Sequence, residues 1–123
     1  MRAVEALQEF APANGVPDKA VFGLALALEE CASNIVNHAL QRDARQKFQV
    51  MLESTDDHFI IELRDRGPEF DPTVSSQEPR EEDALGGWGI ELVRRYIDEI
   101  HYTRADGENI LRLDKRLSSS TPA

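Results

Sequence analysis

The sequence predicts an α/β two-layer sandwich, a mixed but mostly antiparallel sheet with helices on one face. Three observations carry this. Apolar stripes at helical spacing and apolar alternation at strand spacing fall in separate segments. The segments run helix, helix, strand, strand, helix, strand, strand. Each strand pair is joined by a short polar turn, which makes two antiparallel hairpins.

Taken in order, Arg2–Phe10 reads as a short helix with Val4, Leu7 and Phe10 apolar. Asn14-Gly15-Val16-Pro17 breaks it. Asp18 or a neighbour then caps a long helix reaching about Leu40, whose apolar stripe is Val21, Leu24, Leu28, Cys31, Ile35 and Ala39. Gln49–Glu53 alternates around Val50 and Leu52, and Phe59–Leu63 around Phe59, Ile61 and Leu63. Ser54-Thr55-Asp56-Asp57 is the turn between them. Gly89–Ile97 is a helix with Ile90, Val93 and Ile97 on one side. Two strands near Glu99–Thr103 and Ile110–Lys115 close the chain around an Asp106-Gly107 turn.

A length of 123 residues argues for a single domain, taken as residues 1–117, with a low-complexity tail over 118–123. Pro68–Ala84, with three prolines and many polar residues, reads as loose. Fourteen basic against 23 acidic residues give a net charge of −9. That argues against a general nucleic-acid or anionic-membrane binder, both of which want a basic face, while local basic pockets remain open. The longest strongly apolar stretch, Ala20–Leu28, is far short of the roughly 20 residues of a membrane span. The N-terminus carries no signal-peptide core, and the lone Cys31 cannot form an intramolecular disulfide. The expected location is the cytoplasm.

Three polar constellations stand out. In the long helix, Glu30, Asn34 and Asn37 fall within about 60° of one another at about 100° per residue. A carboxylate there can take a proton, and an amide oxygen one turn on can ligand Mg²⁺. A solvated helix face is the plainer reading. Next, Asp65 and Gly67 sit where the second strand runs into a turn. A carboxylate at that point can accept a hydrogen bond from an exocyclic amine such as that of adenine, and a keto group there is repelled. Gly67 lets the main chain approach a flat ring, although an ordinary Asp-x-Gly turn has the same residues. Finally, Gly86, Gly87 and Gly89 open a helix, where backbone N–H groups can face phosphates. No Gly-Lys-Ser/Thr follows, so this is not a Walker A loop. Trp88 either packs over the site or plugs the core.

Glu-x-x-x-Asn on a helix, Asp-x-Gly after a strand and Gly-Gly-x-Gly before a helix, in that order, resemble the Bergerat-fold, histidine-kinase-like ATPase superfamily. The chain is most similar to the RsbW and SpoIIAB-type anti-sigma-factor serine/threonine kinases. The strings that carry this are Leu26–Asn34, Arg64–Pro72 and Gly86–Arg95, and Asn109–Leu113 looks like the family's last strand. The resemblance covers Asp18 to Leu117.

It implies Glu30 as general base and Asn34 as the Mg²⁺-binding asparagine. It implies Asp65 on the adenine amine, Gly67 beside the ring, and Gly87 and Gly89 near the phosphates. Gly86 is grouped with these lid glycines, and Glu29, Asn37 and His38 lie near the site. The segment from about Pro72 to Leu85 is the implied lid. The implied function is an ATP- and Mg²⁺-dependent protein kinase that phosphorylates a STAS-type antagonist and has a sigma factor as second partner. A homodimer stays open, as does the alternative of a nucleotide-binding regulatory module with little or no kinase activity. A histidine-kinase catalytic domain is a third reading, set back by the absence of a phosphoacceptor-helix region. Three departures are visible. Glu69 replaces the family's second glycine, and Leu85 stands where the sporulation kinase has an arginine, so that Arg80 or Arg66 supplies the cation for the γ-phosphate or nothing does. The strand that usually precedes the first helix is not read here.

Overall fold

Residues 2–39, 47–73 and 89–117 are described by the structure, a computed structural model. Helix α1 (Arg2–Ala13) is followed by α2 (Asp18–Asn34), which continues into a π-helical turn at Ile35–Ala39. Strands β1 (Phe48–Ser54) and β2 (His58–Asp65) form the first hairpin. Helix α3 (Gly89–Tyr96) leads to the second, β3 (Glu99–Ala105) and β4 (Glu108–Arg116). The sheet order is β1-β2-β4-β3, and every pairing among the described residues is antiparallel. The α/β two-layer architecture expected from the sequence is the one observed.

Alternation fixes which side of the sheet meets the helices. Phe59, Ile61 and Leu63 on β2 and Leu111 and Leu113 on β4 share one core with Leu24, Leu28, Cys31 and Ile35 of α2 and its extension. Leu7 and Ala11 of α1 and Val93 of α3 complete that core. Residues of opposite parity, such as Glu62, Arg64, Arg112 and Asp114, belong to the other face. There Arg64 Nε donates to Glu62 at 2.8 Å, and His58 Nδ1 lies 2.6 Å from Asp114.

The helix ends show why boundaries moved. Helix α1 runs three residues past Phe10 and contains Pro12. It closes on Gly15, at φ +83°, with Gly15 N–H donating to Pro12 O and Val16 N–H to Ala11 O. This is a Schellman pattern, and it buries Val16 against the core. The N-cap of α2 is Pro17, with no side-chain cap; Asp18 is its first helical residue, where a carboxylate favours the helix dipole. Residues 18–37 are long and apolar enough to cross a membrane by length and composition alone. Here that apolarity belongs to a core helix, because Leu24, Leu28 and Cys31 are almost wholly buried.

Helices α2 and α3 approach closely at Gly23. A methyl group built there meets Tyr96 Cδ1 at 2.5 Å and Tyr96 Cβ at 3.0 Å, so only glycine fits without a shift. The β3–β4 turn has Asp106 at φ +52° and Gly107 at φ +78°, matching the twist of the flanking strands.

Candidate active site

The inward ladder of β2 and β4 pairs Ile61 with Leu113, then Leu63 with Leu111, then Asp65 with Asn109. The last pair is polar, yet each partner is only 4% exposed. Such burial is costly unless the groups are hydrogen-bonded. Asp65 Oδ1 accepts from Gly67 N–H at 2.9 Å and from Asn109 Nδ2 at 2.9 Å. Its other oxygen, Oδ2, takes no hydrogen bond from any described residue. The first bond folds the chain into the turn after β2, and Gly67 itself is buried. Arg104 Nη1 donates to Gly67 O at 2.7 Å and holds the turn from β3.

Asn109 is saturated. Its Nδ2 donates to Asp65 and to Pro68 O at 2.8 Å, with a longer contact to Gly67 O at 3.5 Å. Its Oδ1 accepts from Phe70 N–H at 3.1 Å and from the Tyr102 hydroxyl at 2.5 Å. Burial above all pushes the Tyr102 phenol up from its ordinary value, so it remains a donor.

Asp65, Asn109 and Tyr102 open onto a cleft shared with Asn34 and Cys31 of α2. Leu63 and Leu111 form its apolar floor, and Phe70 and Pro72 stand over it from the strap after β2. The cleft has room for about one water molecule, ≈ 10 Å³. Burial, with a smaller contribution from the charge of Glu30, pushes the Cys31 thiol up to about 12. It is therefore a neutral wall, not a nucleophile.

Asn34 and Asp65, from separate elements, are thus brought to one cleft, with Gly67 in the turn bonded to Asp65. Glu30 is half-buried one turn before Asn34 and is not part of the cleft wall. Asn37 lies in the π-helical turn, is exposed and is not part of the cleft wall; its Nδ2 donates to Ser33 Oγ at 3.2 Å. Gly89 begins α3, whereas Gly86, Gly87, Leu85, Arg80 and most of the expected lid lie outside the described residues. Arg66 is largely exposed and within 4.0 Å of Glu108, away from the cleft wall. Asn109, Tyr102 and Phe70 carry parts that the motif reading did not assign. The signal for Asn109 was present: a polar residue occupies an inward slot in Asn109-x-Leu111-x-Leu113.

An antiparallel sheet backed by helices on one face, ending in a buried carboxylate above a cleft walled by the core helix, defines a histidine-kinase-like ATPase domain. The chain belongs to that family: residues 1–115 match the histidine kinase-like ATPase domain. It is similar to the serine/threonine-protein kinase BtrW of Bordetella bronchiseptica, 32% identical over 75% of this chain and 68% of the relative. It is also similar to the serine-protein kinase RsbW of Oceanobacillus iheyensis, 27% identical over 79% of this chain and 66% of the relative. The chain thus spans about two thirds of the length of each. Among solved structures, the blue-light activated histidine kinase of Erythrobacter litoralis EL346 aligns over 85% of this chain and 33% of its own, with a TM-score of 0.64 and 22% identity. The Acinetobacter baumannii histidine kinase AdeS aligns over 80% and 48%, with a TM-score of 0.55 and 14% identity. These two likenesses concern the fold.

Proposed function

We propose that this chain is an ATP-dependent serine/threonine protein kinase that acts as an anti-sigma factor in the cytoplasm and phosphorylates a STAS-type antagonist. One observation carries the nucleotide part: a buried carboxylate with an unengaged oxygen, Asp65, faces the same cleft as the Asn34 carboxamide. The kinase part is supported by the names of the two curated relatives, both of them serine or serine/threonine kinases. The anti-sigma role, the antagonist and the sigma-factor partner rest on the resemblance of the motifs.

In this reading Asp65 Oδ2 accepts a hydrogen bond from the exocyclic amine of adenine, and the Gly67 backbone lies beside the ring. Leu63, Leu111 and the protonated Cys31 supply apolar contact. The small cleft admits the base only when Phe70 and Pro72 move outward. Asn34 would hold Mg²⁺ through its amide oxygen, a hard donor that suits this ion, together with the phosphates of the substrate. Bound there, the ion supplies neutralisation of phosphate charge. Among the described residues no cluster of three or more His, Cys, Asp or Glu offers another metal site. Glu30, one turn before Asn34, takes the proton of the acceptor hydroxyl; the γ-phosphoryl group passes to that oxygen and ADP leaves.

A second reading, a nucleotide-binding regulatory module with little kinase activity, is favoured by two observations. Leu85 stands at the place of a lid arginine, and Arg66 is drawn toward Glu108. Incubation of the chain with labelled ATP and a STAS-domain protein separates the two. The kinase reading expects label on a serine or threonine and a loss of roughly 100-fold in Glu30→Ala. Nucleotide binding without any transfer selects the module.

A further inference from the structure

Asn109 has no family role assigned above, yet it makes more side-chain hydrogen bonds than any other described residue of the cleft. We propose that Asn109 is the positioning residue that sets base selectivity: its amide holds Asp65 Oδ1 by a hydrogen bond and leaves the other carboxylate oxygen facing the cleft as an acceptor. The proposal rests on the nucleotide reading of the cleft and deepens it.

The orientation of the amide is dictated by its neighbours. Nδ2 faces two acceptors, Asp65 Oδ1 and Pro68 O; Oδ1 faces a donor that cannot invert, the Phe70 backbone N–H. A flipped amide sets oxygen against a carboxylate and nitrogen against an N–H, so the observed arrangement is the stable one. Both amide protons are then consumed, and none points into the cleft. Both acceptor positions are filled as well, by Phe70 and Tyr102. Asn109 therefore contacts no base and acts through Asp65.

With Oδ1 bound to Asn109 and Gly67, the Asp65 carboxylate cannot rotate without losing two bonds, and Oδ2 is held as the atom that no described residue engages. An acceptor fixed in that place pairs with a ring amine and repels a ring keto oxygen.

Calorimetric titration of the full chain with MgATP and MgITP, which differ at the ring 6-position as amine against keto, tests this. The wild type is expected to prefer ATP by at least about 30-fold. Asn109→Asp removes the Nδ2 donor that holds Oδ1, so the Asp65 carboxylate is free to turn and its fixed acceptor is lost; the preference falls below about 5-fold. Asn109→Leu fills the volume without adding charge and keeps the test alive where paired carboxylates prevent folding; it also lowers the preference, by at least about 5-fold. Asn109→Ser retains a donor toward Asp65 and stays within about 3-fold of the wild-type preference. A purely structural Asn109 weakens ATP and ITP in equal proportion, so an unchanged ratio in folded Asn109→Asp or Asn109→Leu overturns the proposal alone. A wild type that binds neither nucleotide overturns the nucleotide reading and the proposal together.

Discussion

The two ends of one ladder carry opposite chemistry. On the helix-facing side of β2 and β4, Ile61 pairs with Leu113 and Leu63 with Leu111, all almost wholly buried. One step further along the same register, Asp65 pairs with Asn109, buried to nearly the same degree. Backbone geometry is continuous from one pair to the next, so the change lies in the side chains. The apolar end stabilises the fold by removing surface from water. The polar end gives that up and retains a buried oxygen without a partner among the described residues, an expense that folding alone does not explain. The difference marks where the layer stops being core and becomes site.

The strongest way to break this contrast is to cut the apolar end. Ile61→Ala is expected to cost about 2–5 kcal/mol in urea unfolding. A loss under about 1 kcal/mol contradicts the packing described. Gly23→Ala forces α2 from Tyr96, where the obstruction includes the immobile Cβ, and should cost about 1–3 kcal/mol. Thermal unfolding reads that shift, and an unchanged midpoint argues that the two helices do not touch there.

A smaller effect comes from Cys31, which belongs to both regions. Its folded thiol stays protonated to about 12, whereas the unfolded thiol ionises near 9.0. The folded state therefore binds the extra proton above pH 9. The thiol's contribution is complete below pH 9 and declines as pH rises toward 12, by up to about 1.4 kcal/mol per pH unit. Comparison of wild type with Cys31→Ala across that range isolates it; parallel stability curves contradict the burial. The smallest expected change is just beyond the polar end. Arg66→Ala, which removes an exposed guanidinium lying 4.0 Å from Glu108, should alter stability in urea unfolding by no more than about 0.5 kcal/mol. A much larger loss shows that this ion pair is structural.

The same two regions explain what the sequence disclosed. At the apolar end, simple alternation around Phe59, Ile61 and Leu63 gave the strand, its buried face and the antiparallel partner. The Asp106-Gly107 hairpin was legible because positive φ at both positions restricts the residues that fit. At the polar end, Asp65 was legible as a carboxylate at a strand terminus. Asn109 was visible as a polar residue in an inward slot, but its pairing with Asp65 was not, because the bond between them spans 44 positions in the chain and no local spacing encodes it. The π-helical turn at the end of α2 was hidden for a different reason. A π-helical turn needs no special residue type, so Ile35–Ala39 looks like a regular continuation of α2. Helix α1 runs to Ala13, three residues past the expected Phe10, and its stop, the Gly15 cap, lies within the Asn14-Gly15-Val16-Pro17 break read from the sequence.

Titration calorimetry of MgATP against the wild type and Asp65→Asn bears most directly on the claim that the polar end is a nucleotide site. The substitution keeps shape and removes the charge of the acceptor. One saturable site in the wild type, weakened roughly 10- to 100-fold in Asp65→Asn, is the expected result, the loss of one hydrogen bond to a charged group. Equal binding by both proteins, or heat from neither, contradicts it.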